Sequence, residues 1–275
     1  MNNNQSMNLL TGKPMRICAC LMIASLIFSC SSWAKINIDD FAGLWLFDDD
    51  KKPATARDSS GNNHDAEVAK QVKRIDGVFG GALKFDGTQS YAIVPHDPMF
   101  NFGEDGNFSM GCWMSPERDD AYVVTKRGAG PIVLWGLNCS MDNASGAFDF
   151  QGYNDGVNRM VIGKTVIRGK GWFHCVAVRK DKIVSIYVNG KVEAKLDVSI
   201  SVDSEAPIQM GGWGGENHIG GLDELFICKA GVALTQEDIR NIFKNGLQAA
   251  LAVSEVGRLA TVWGVLKAPK QLRRG

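Results

Sequence analysis

Residues 58–66 read DSSGNNHDA. The stretch holds nothing apolar larger than alanine, yet carboxylates stand near both ends, Asp58 and Asp65. Asx-turn hydrogen bonds, a bound cation, or solvent alone are the three ways such a run can be held. A calcium ion takes about six to eight oxygen ligands, backbone carbonyls included, and Gly61 lets the chain turn carbonyls inward. His64 is a poor ligand for such an ion. A further acid, Asp223, shares strand parity with Leu225 and Ile227, so its carboxylate is expected to point inward. Burying an unpaired carboxylate is expensive, and a cation would offset it. The parity is not clean, because Phe226 and Cys228 make the other face apolar too. The alternative is that Asp58 starts an Asx-turn while Asp223 pairs with a lysine or backbone amides.

Glycoside hydrolysis needs two carboxylates roughly 5–9.5 Å apart on one face, which on a strand means spacings of i, i+2 or i, i+4. Asp223 and Glu224 are adjacent and therefore face opposite ways. Asp48-Asp49-Asp50 ends a strand and runs into Lys51-Lys52-Pro53. Catalysis is not expected, and His174, in WFHCVAVR, is expected to be a core or sheet-face residue. Sugar recognition instead uses exposed aromatic rings. Trp213, in GGWGGEN, is the first candidate, because its neighbours have no side chains to cover it, and Asn217 and Glu216 could bond hydroxyls. Trp135 and Tyr153 are further candidates. Against this, Trp213 could simply end a strand and close a sandwich edge. Asn107, Asn138 and Asn143 each begin an N-x-S sequon.

These residues must be positioned by strands. The chain has 275 residues, 45% apolar and 22% charged, with 31 glycines and 8 prolines. Its 30 basic and 30 acidic residues cancel, so no global field favours nucleic acid. Lys13 and Arg16 precede an apolar run, Ile17–Phe28, too short to span a bilayer, and Ser32-Trp33-Ala34 fits a cleavage site. Residues 1–34 read as a secretory signal, with acylation of Cys30 as the alternative, so the protein is expected to be extracellular or periplasmic, without a transmembrane segment. Beyond the signal remain Cys112, Cys139, Cys175 and Cys228. Three of them sit in apolar runs and read as buried free thiols, though one disulfide stays open.

Strands are expected at 41–47, 81–85, 91–94, 108–114, 122–125, 132–137, 147–150, 160–162, 172–179, 183–188, 191–196, 208–213 and 219–228. Asn189-Gly190 is the strongest hairpin turn. One helix is expected, capped by Thr235 with Asp238 three residues on, and packing Ile239, Ile242, Phe243 and Leu247 against a sheet. The tail, 249–275, is either an added strand at Leu259–Leu266 or a segment that docks elsewhere.

In this order LWLFDD (44–49), DSSGN (58–62), FGGALKFDG (79–87), 108–116, WFH (172–174), IYVNGK (186–191) and GLDEL (221–225) resemble the laminin-G-like jelly-roll domains of the concanavalin A-like lectin/glucanase superfamily, over about 41–246. The resemblance implies an all-β, two-sheet antiparallel jelly-roll sandwich with one C-terminal helix, spanning 35–248. It implies a secreted, non-catalytic module that binds a glycan or an extracellular or cell-surface component. The alternatives are an adhesive protein-interaction module and, behind it, a glycoside hydrolase. It also implies one metal site gathering Asp48 or Asp49, Asp58 and Asn63 of the polar loop, and Asp223 around a structural Ca2+. Cys112, Cys175 and Cys228 depart from the alanine, valine and tyrosine expected there.

Overall fold

A computed structural model describes residues 36–49, 54–128, 132–141 and 145–267, with side chains described through Ala252. The signal segment, Cys30, residues 50–53, the Asn143 sequon and 268–275 lie outside them. In chain order the strands are β1 (Phe41–Trp45), β2 (Thr55–Ala56), β3 (Ala66–Val68), β4 (Lys73–Asp76), β5 (Gly81–Asp86), β6 (Ala92–Val94), β7 (Phe108–Pro116), β8 (Ala121–Arg127) and β9 (Val133–Cys139). They continue with β10 (Ala147–Asn154), β11 (Val157–Val166), β12 (Phe173–Lys180), β13 (Ile183–Val188), β14 (Lys191–Asp197), β15 (Ile208–Met210), β16 (Gly212–Trp213), β17 (Glu216–Asn217) and β18 (Ile219–Cys228). One long helix follows, α1 (Gln236–Lys267).

The strands form two sheets. The first runs β14-β13-β12-β7-β18-β5-β4, with β1 on β18; the second runs β11-β10-β9-β8-β15-β6-β3-β2, with the β16–β17 hairpin attached to β8. Pairing is antiparallel apart from the short parallel contact of β17 with β8, where Asn217 lies opposite Tyr122. This is the two-sheet jelly-roll sandwich that the family resemblance implies.

Alternation places the core. In β13, Val184, Ile186 and Val188 are buried, while the residues between them face out. They join Phe85, Phe108, Trp135, Phe148, Phe150 and Leu225 between the sheets. β7 and β18 are apolar on both faces for a different reason. The outer face of this sheet is covered by α1, whose Ile239, Ile242, Leu247 and Ala250 pack on Phe41, Leu44, Val176, Val178 and Phe226, and whose Phe243 stacks on Trp113 of β7. The expected cap forms: Asp238 Oδ2 accepts from Thr235 N at 2.8 Å, and Thr235 Oγ1 accepts from Asp238 N at 3.2 Å.

Asn189 and Gly190 take φ of 50° and 74°, the two left-handed positions that the β13–β14 turn requires. α1 breaks at Gly246, where φ is 77°. A Cβ there would meet Glu224 Oε1 at 2.9 Å and the Phe79 ring at 2.9 Å. Glu224 uses both oxygens, at 3.0 and 3.1 Å, to accept from Leu247 N, the first amide after the break. Residues 251–267 continue as helix, so the added strand at 259–266 does not form. The sequence reading also passed over β2, β3 and β4. β4, KRID, has no residue buried enough to show a pattern.

Candidate functional site

The end of β8 and the β16–β17 hairpin build a cleft of about 620 Å³, lined by residues that include Arg127, Asp203, Glu205, Pro207, Gln209 and Trp213. Glycine makes the hairpin. Gly211, Gly212, Gly214 and Gly215 all have positive φ, and a Cβ on Gly212 would lie 2.3 Å from Asn217 Cα. A Cβ on Gly214 or Gly215 would meet nothing within 4 Å, so the hairpin tip is open, and Trp213 beside it is half-buried.

The Arg127 guanidinium lies over the Trp213 ring, 4.0 Å from its centroid. Arg127 Nη1 donates to Glu216 Oε2 and to Tyr122 Oη, both at 3.3 Å, and Tyr122 passes a bond on to Gln151 Oε1 at 3.1 Å. Its Nε is enclosed without a partner. Trp213 also leans, with Tyr153 and Met160, on a small apolar cluster of Tyr122, Leu134 and Met141.

Buried cations fix the opposite wall, residues 198–206. Lys126 is fully buried, and its Nζ bonds Asn101 Oδ1 at 3.0 Å and the Ser204 carbonyl. Burial pushes its pKa down to about 8, against the pull of Asp203 and Glu205. Arg179, also fully buried, donates to the carbonyls of Gly103, Gly106 and Ile200 at 2.6–2.9 Å. Asp203 accepts from Phe102 N at 2.6 Å and Gly103 N at 2.8 Å. The wall is thus held from behind by charge-assisted bonds.

Of the residues expected to bind ligand, Trp213 alone lines this cleft. Trp135 is a correction: it is 0% exposed and points into the core with Leu137 and Cys139. Its parity with those two was the signal that it faces inward. Asn217 is a second correction, because its Nδ2 is taken by the carbonyls of Thr88 (3.1 Å) and Gly87 (3.3 Å). Tyr153 is half-buried on the neighbouring cluster and does not line the cleft. Arg127 was missed. Nothing local marks it, since its contact with Trp213 depends on β8 pairing with β15.

The expected metal ligands do not converge. Asp58 has both oxygens occupied: Oδ1 accepts from Leu44 N (3.0 Å) and Ser60 N (2.8 Å), and Oδ2 from Ser60 Oγ (2.8 Å) and His64 N (3.0 Å). Asp49 accepts from Arg57 N at 2.9 Å, and Asn63 is exposed at φ 64°. Asp48 and Asp223 do flank one turn. Asp48 accepts from Gly81 N at 2.7 Å, and Asp223 Oδ2 from Val78 N at 2.7 Å and Phe79 N at 3.0 Å. Among the described residues no group of three or more His, Cys, Asp or Glu side chains could hold a metal ion. Asp49, Asp58 and Asn63 thus do not join Asp48 and Asp223 at that turn.

Asp223 does not enter the core. A bulge at Glu224, with φ 47°, puts Leu222, Leu225 and Ile227 inward and leaves both acids buried beside the turn and α1. Burial raises Asp223 to about 6 and Glu224 to about 8, against the amides each receives. Neither lines the cleft. His174 is buried against Trp113 and Phe243, and burial lowers its pKa to about 3, as befits a neutral packing residue. Cys112, Cys139, Cys175 and Cys228 are all free and buried. Asn138 is fully buried and donates to Asp149 at 2.9 Å, which leaves no room for a glycan on it.

Among the described residues no helix is long and apolar enough to cross a membrane. No curated protein matches the sequence. Solved structures share the fold. The binding domain of Paraclostridial Mosquitocidal Protein 1 aligns with a TM-score of 0.60 at 19% identity, over 75% of this chain and 52% of that one. Domain 4 of AbnA, a GH43 extracellular arabinanase from Geobacillus stearothermophilus, in complex with arabinotriose, aligns at 0.59 and 18%, over 74% of this chain and 98% of that one. The ligand-binding domain of botulinum neurotoxin serotype D, in complex with N-acetylneuraminic acid, aligns at 0.55 and 16%, over 76% and 51%. This chain thus spans about half the length of the toxin domains and nearly all of the arabinanase domain. A family profile described as the concanavalin A-like lectin/glucanases superfamily, of laminin-G type, matches residues 86–240. Two sheets in jelly-roll order and a profile match over more than half the sequence give one conclusion: the chain belongs to the concanavalin A-like lectin/glucanases superfamily.

Proposed function

We propose that the protein is a non-catalytic glycan-binding module whose ligand sits in the Trp213–Arg127 cleft. The observation that carries this is the indole on its glycine hairpin, flanked by a guanidinium at 4.0 Å and opening on a cleft of about 620 Å³. A flat aromatic takes the C–H face of a sugar at little cost in side-chain entropy, while Arg127, Gln209 and Glu205 offer donors and acceptors for hydroxyls. The wall opposite is fixed by Lys126 and Arg179 before any ligand arrives, which limits the ordering cost of binding. The sugar complexes among the structural neighbours support the reading at the level of the fold.

Non-catalysis is supported by where the acids are. Asp203 is bonded to backbone amides and Glu216 to Arg127, while the two acids with raised pKa are buried under α1 and beside the 77–81 turn. Of the two acids among the described lining residues, Asp203 has both oxygens on backbone amides, so Glu205 has no second free carboxylate beside it of the kind hydrolysis needs. The test is a glycan array followed by titration of the best ligand. Trp213→Ala should lower affinity about tenfold or more without changing the melting temperature by more than a few degrees. Undiminished binding by the folded variant would remove the cleft from the account.

A further inference from the structure

We infer that the cleft takes an uncharged sugar, and that Glu216, by holding Arg127, is the residue that keeps acidic sugars out. The inference rests on the glycan-binding reading above and gives that site its ligand class.

An acidic sugar, whether a sialic acid, a uronic acid or a sulfated residue, needs a cation free to meet it. Among the described residues three cations stand at or behind this cleft, and each already holds a partner. Arg179 is fully buried and aimed at backbone carbonyls behind the wall. Lys126 is fully buried and bonded to Asn101 and Ser204. Arg127 alone lines the cleft, and Glu216 sits on it at 3.3 Å. Asp203 and Glu205 complete the local charges, so three acids face three bases and no positive field remains to draw an anion in. The whole chain adds none, with 30 basic and 30 acidic residues.

The acids are also the nearer ones. Glu205 is exposed on the cleft wall, whereas two of the three cations lie beneath it. An incoming carboxylate on Arg127 would have to sit beside Glu216 or displace it, and either arrangement sets two like charges together. A neutral sugar meets no such conflict. Its hydroxyls donate to Glu205 and accept from the uncommitted donors of Arg127, and its apolar face lies on Trp213. Glu216 therefore acts as a specificity-determining residue. Paired with Arg127 it leaves a guanidinium that bonds hydroxyls without attracting anions.

The experiment uses the full chain and its variants on an array carrying both classes: arabino-, xylo- and galacto-oligosaccharides on one side, sialylated, uronic and sulfated glycans on the other. Titration then follows at low and high salt. The expected result is binding to neutral oligosaccharides, changed less than about twofold by salt and lost in Trp213→Ala, with Glu216→Gln gaining about tenfold or more for acidic glycans. The Glu216 side chain is 39% exposed, so this variant is expected to fold, and a melting curve checks it. If the wild-type protein binds an acidic glycan through Trp213, the ligand class is wrong and the glycan-binding reading stands. If neutral sugars bind but folded Glu216→Gln stays blind to acidic ones, the role given to Glu216 is overturned. If the folded protein binds no glycan, or binds one regardless of Trp213, the reading of the cleft itself fails, and this inference with it.

Discussion

Asp58 and Asp223 are both buried aspartates beside polar turns, and they are held in opposite ways. Asp58 receives four hydrogen bonds, two on each oxygen. Asp223 receives two, both on Oδ2, and its buried Oδ1 has no hydrogen-bond partner. The first carboxylate organises its surroundings. Its loop lies along β1, where Asn62 Nδ2 donates to the Phe41 and Ala42 carbonyls, Ser59 N donates to the Leu44 carbonyl, and Trp45 Nε1 donates to the His64 carbonyl. DSSGNNHDA therefore does for one edge of β1 what β18 does for the other. The second carboxylate is kept in place by its fold. What separates them is the number of donors aimed at each buried charge, which local polarity does not report.

The same substitution at both sites sharpens this contrast. Asp58→Asn keeps one oxygen for Leu44 N and Ser60 N but sets an NH2 group against His64 N, which then has no acceptor, and is expected to cost about 2–3 kcal/mol. Asp223→Asn keeps one oxygen for Val78 N and Phe79 N and removes a poorly solvated charge. It should stay within about 1 kcal/mol of the parent, on the stabilising side near pH 8. Denaturant melts of the two variants decide it, and equal losses would break the comparison.

Glu224 offers a second and smaller test, through pH. Its folded pKa is raised from 4.5 to about 8, chiefly by burial, so the folded state binds the proton more tightly than the unfolded one. Stability must then fall as pH rises through that window. Asp223 adds the same sign between 3.8 and about 6. The buried histidines act the other way. His174 and His218 are lowered to about 3 and about 4, so their contribution is lost as pH drops below 6.5. From pH 6.5 to 8 Glu224 is the largest contributor, offset in part by Lys126, lowered to about 8, and by the last of the histidine titration, and the protein should lose about 0.5–1 kcal/mol. Glu224→Gln keeps an acceptor for Leu247 N and should flatten this limb. An unchanged slope would mean the carboxylate titrates normally and α1 is not coupled to it.

The fold was legible because its strands are long and alternate. β13 and β18 have the ends the sequence suggested, and Asn189-Gly190 turns as two left-handed positions demand. The site was half legible. Trp213 among glycines could be found by composition, but Arg127 over it could not, because the pair is assembled by strand order. The acid at 223 misled for a definable reason. Parity from Leu225 and Ile227 predicted an inward carboxylate, and the bulge at Glu224 resets parity one residue earlier. Trp135 misled by its glycine neighbour, although alternation with Leu137 and Cys139 already placed it inside. The short β2 and β3 exist only because neighbouring strands supply their partners.

The smallest expected effect concerns calcium. A cation site would have made the two aspartates alike, joined through one ion. They belong instead to separate hydrogen-bond systems, Asp58 with Leu44, Ser60 and His64, and Asp223 with the 77–79 amides. Each donor already on Asp58 would have to leave before a metal could bind, and a metal must recover the cost of stripping those bonds as well as its own hydration. Anything bound only by the folded state raises the melting temperature in proportion to its saturation. Melting in EDTA and then in millimolar calcium is therefore expected to show the same midpoint to within about a degree. A midpoint that falls with EDTA and returns with calcium but not magnesium would show that an ion is held, at Asp58 in place of its donors or at the unpartnered Oδ1 of Asp223. The contrast between Asp58 and Asp223 would then vanish in the metal-bound protein. Asp58→Asn would separate the cases, because with an ion at Asp58 its loss would shrink once the metal was removed, and without one there EDTA would leave that loss unchanged.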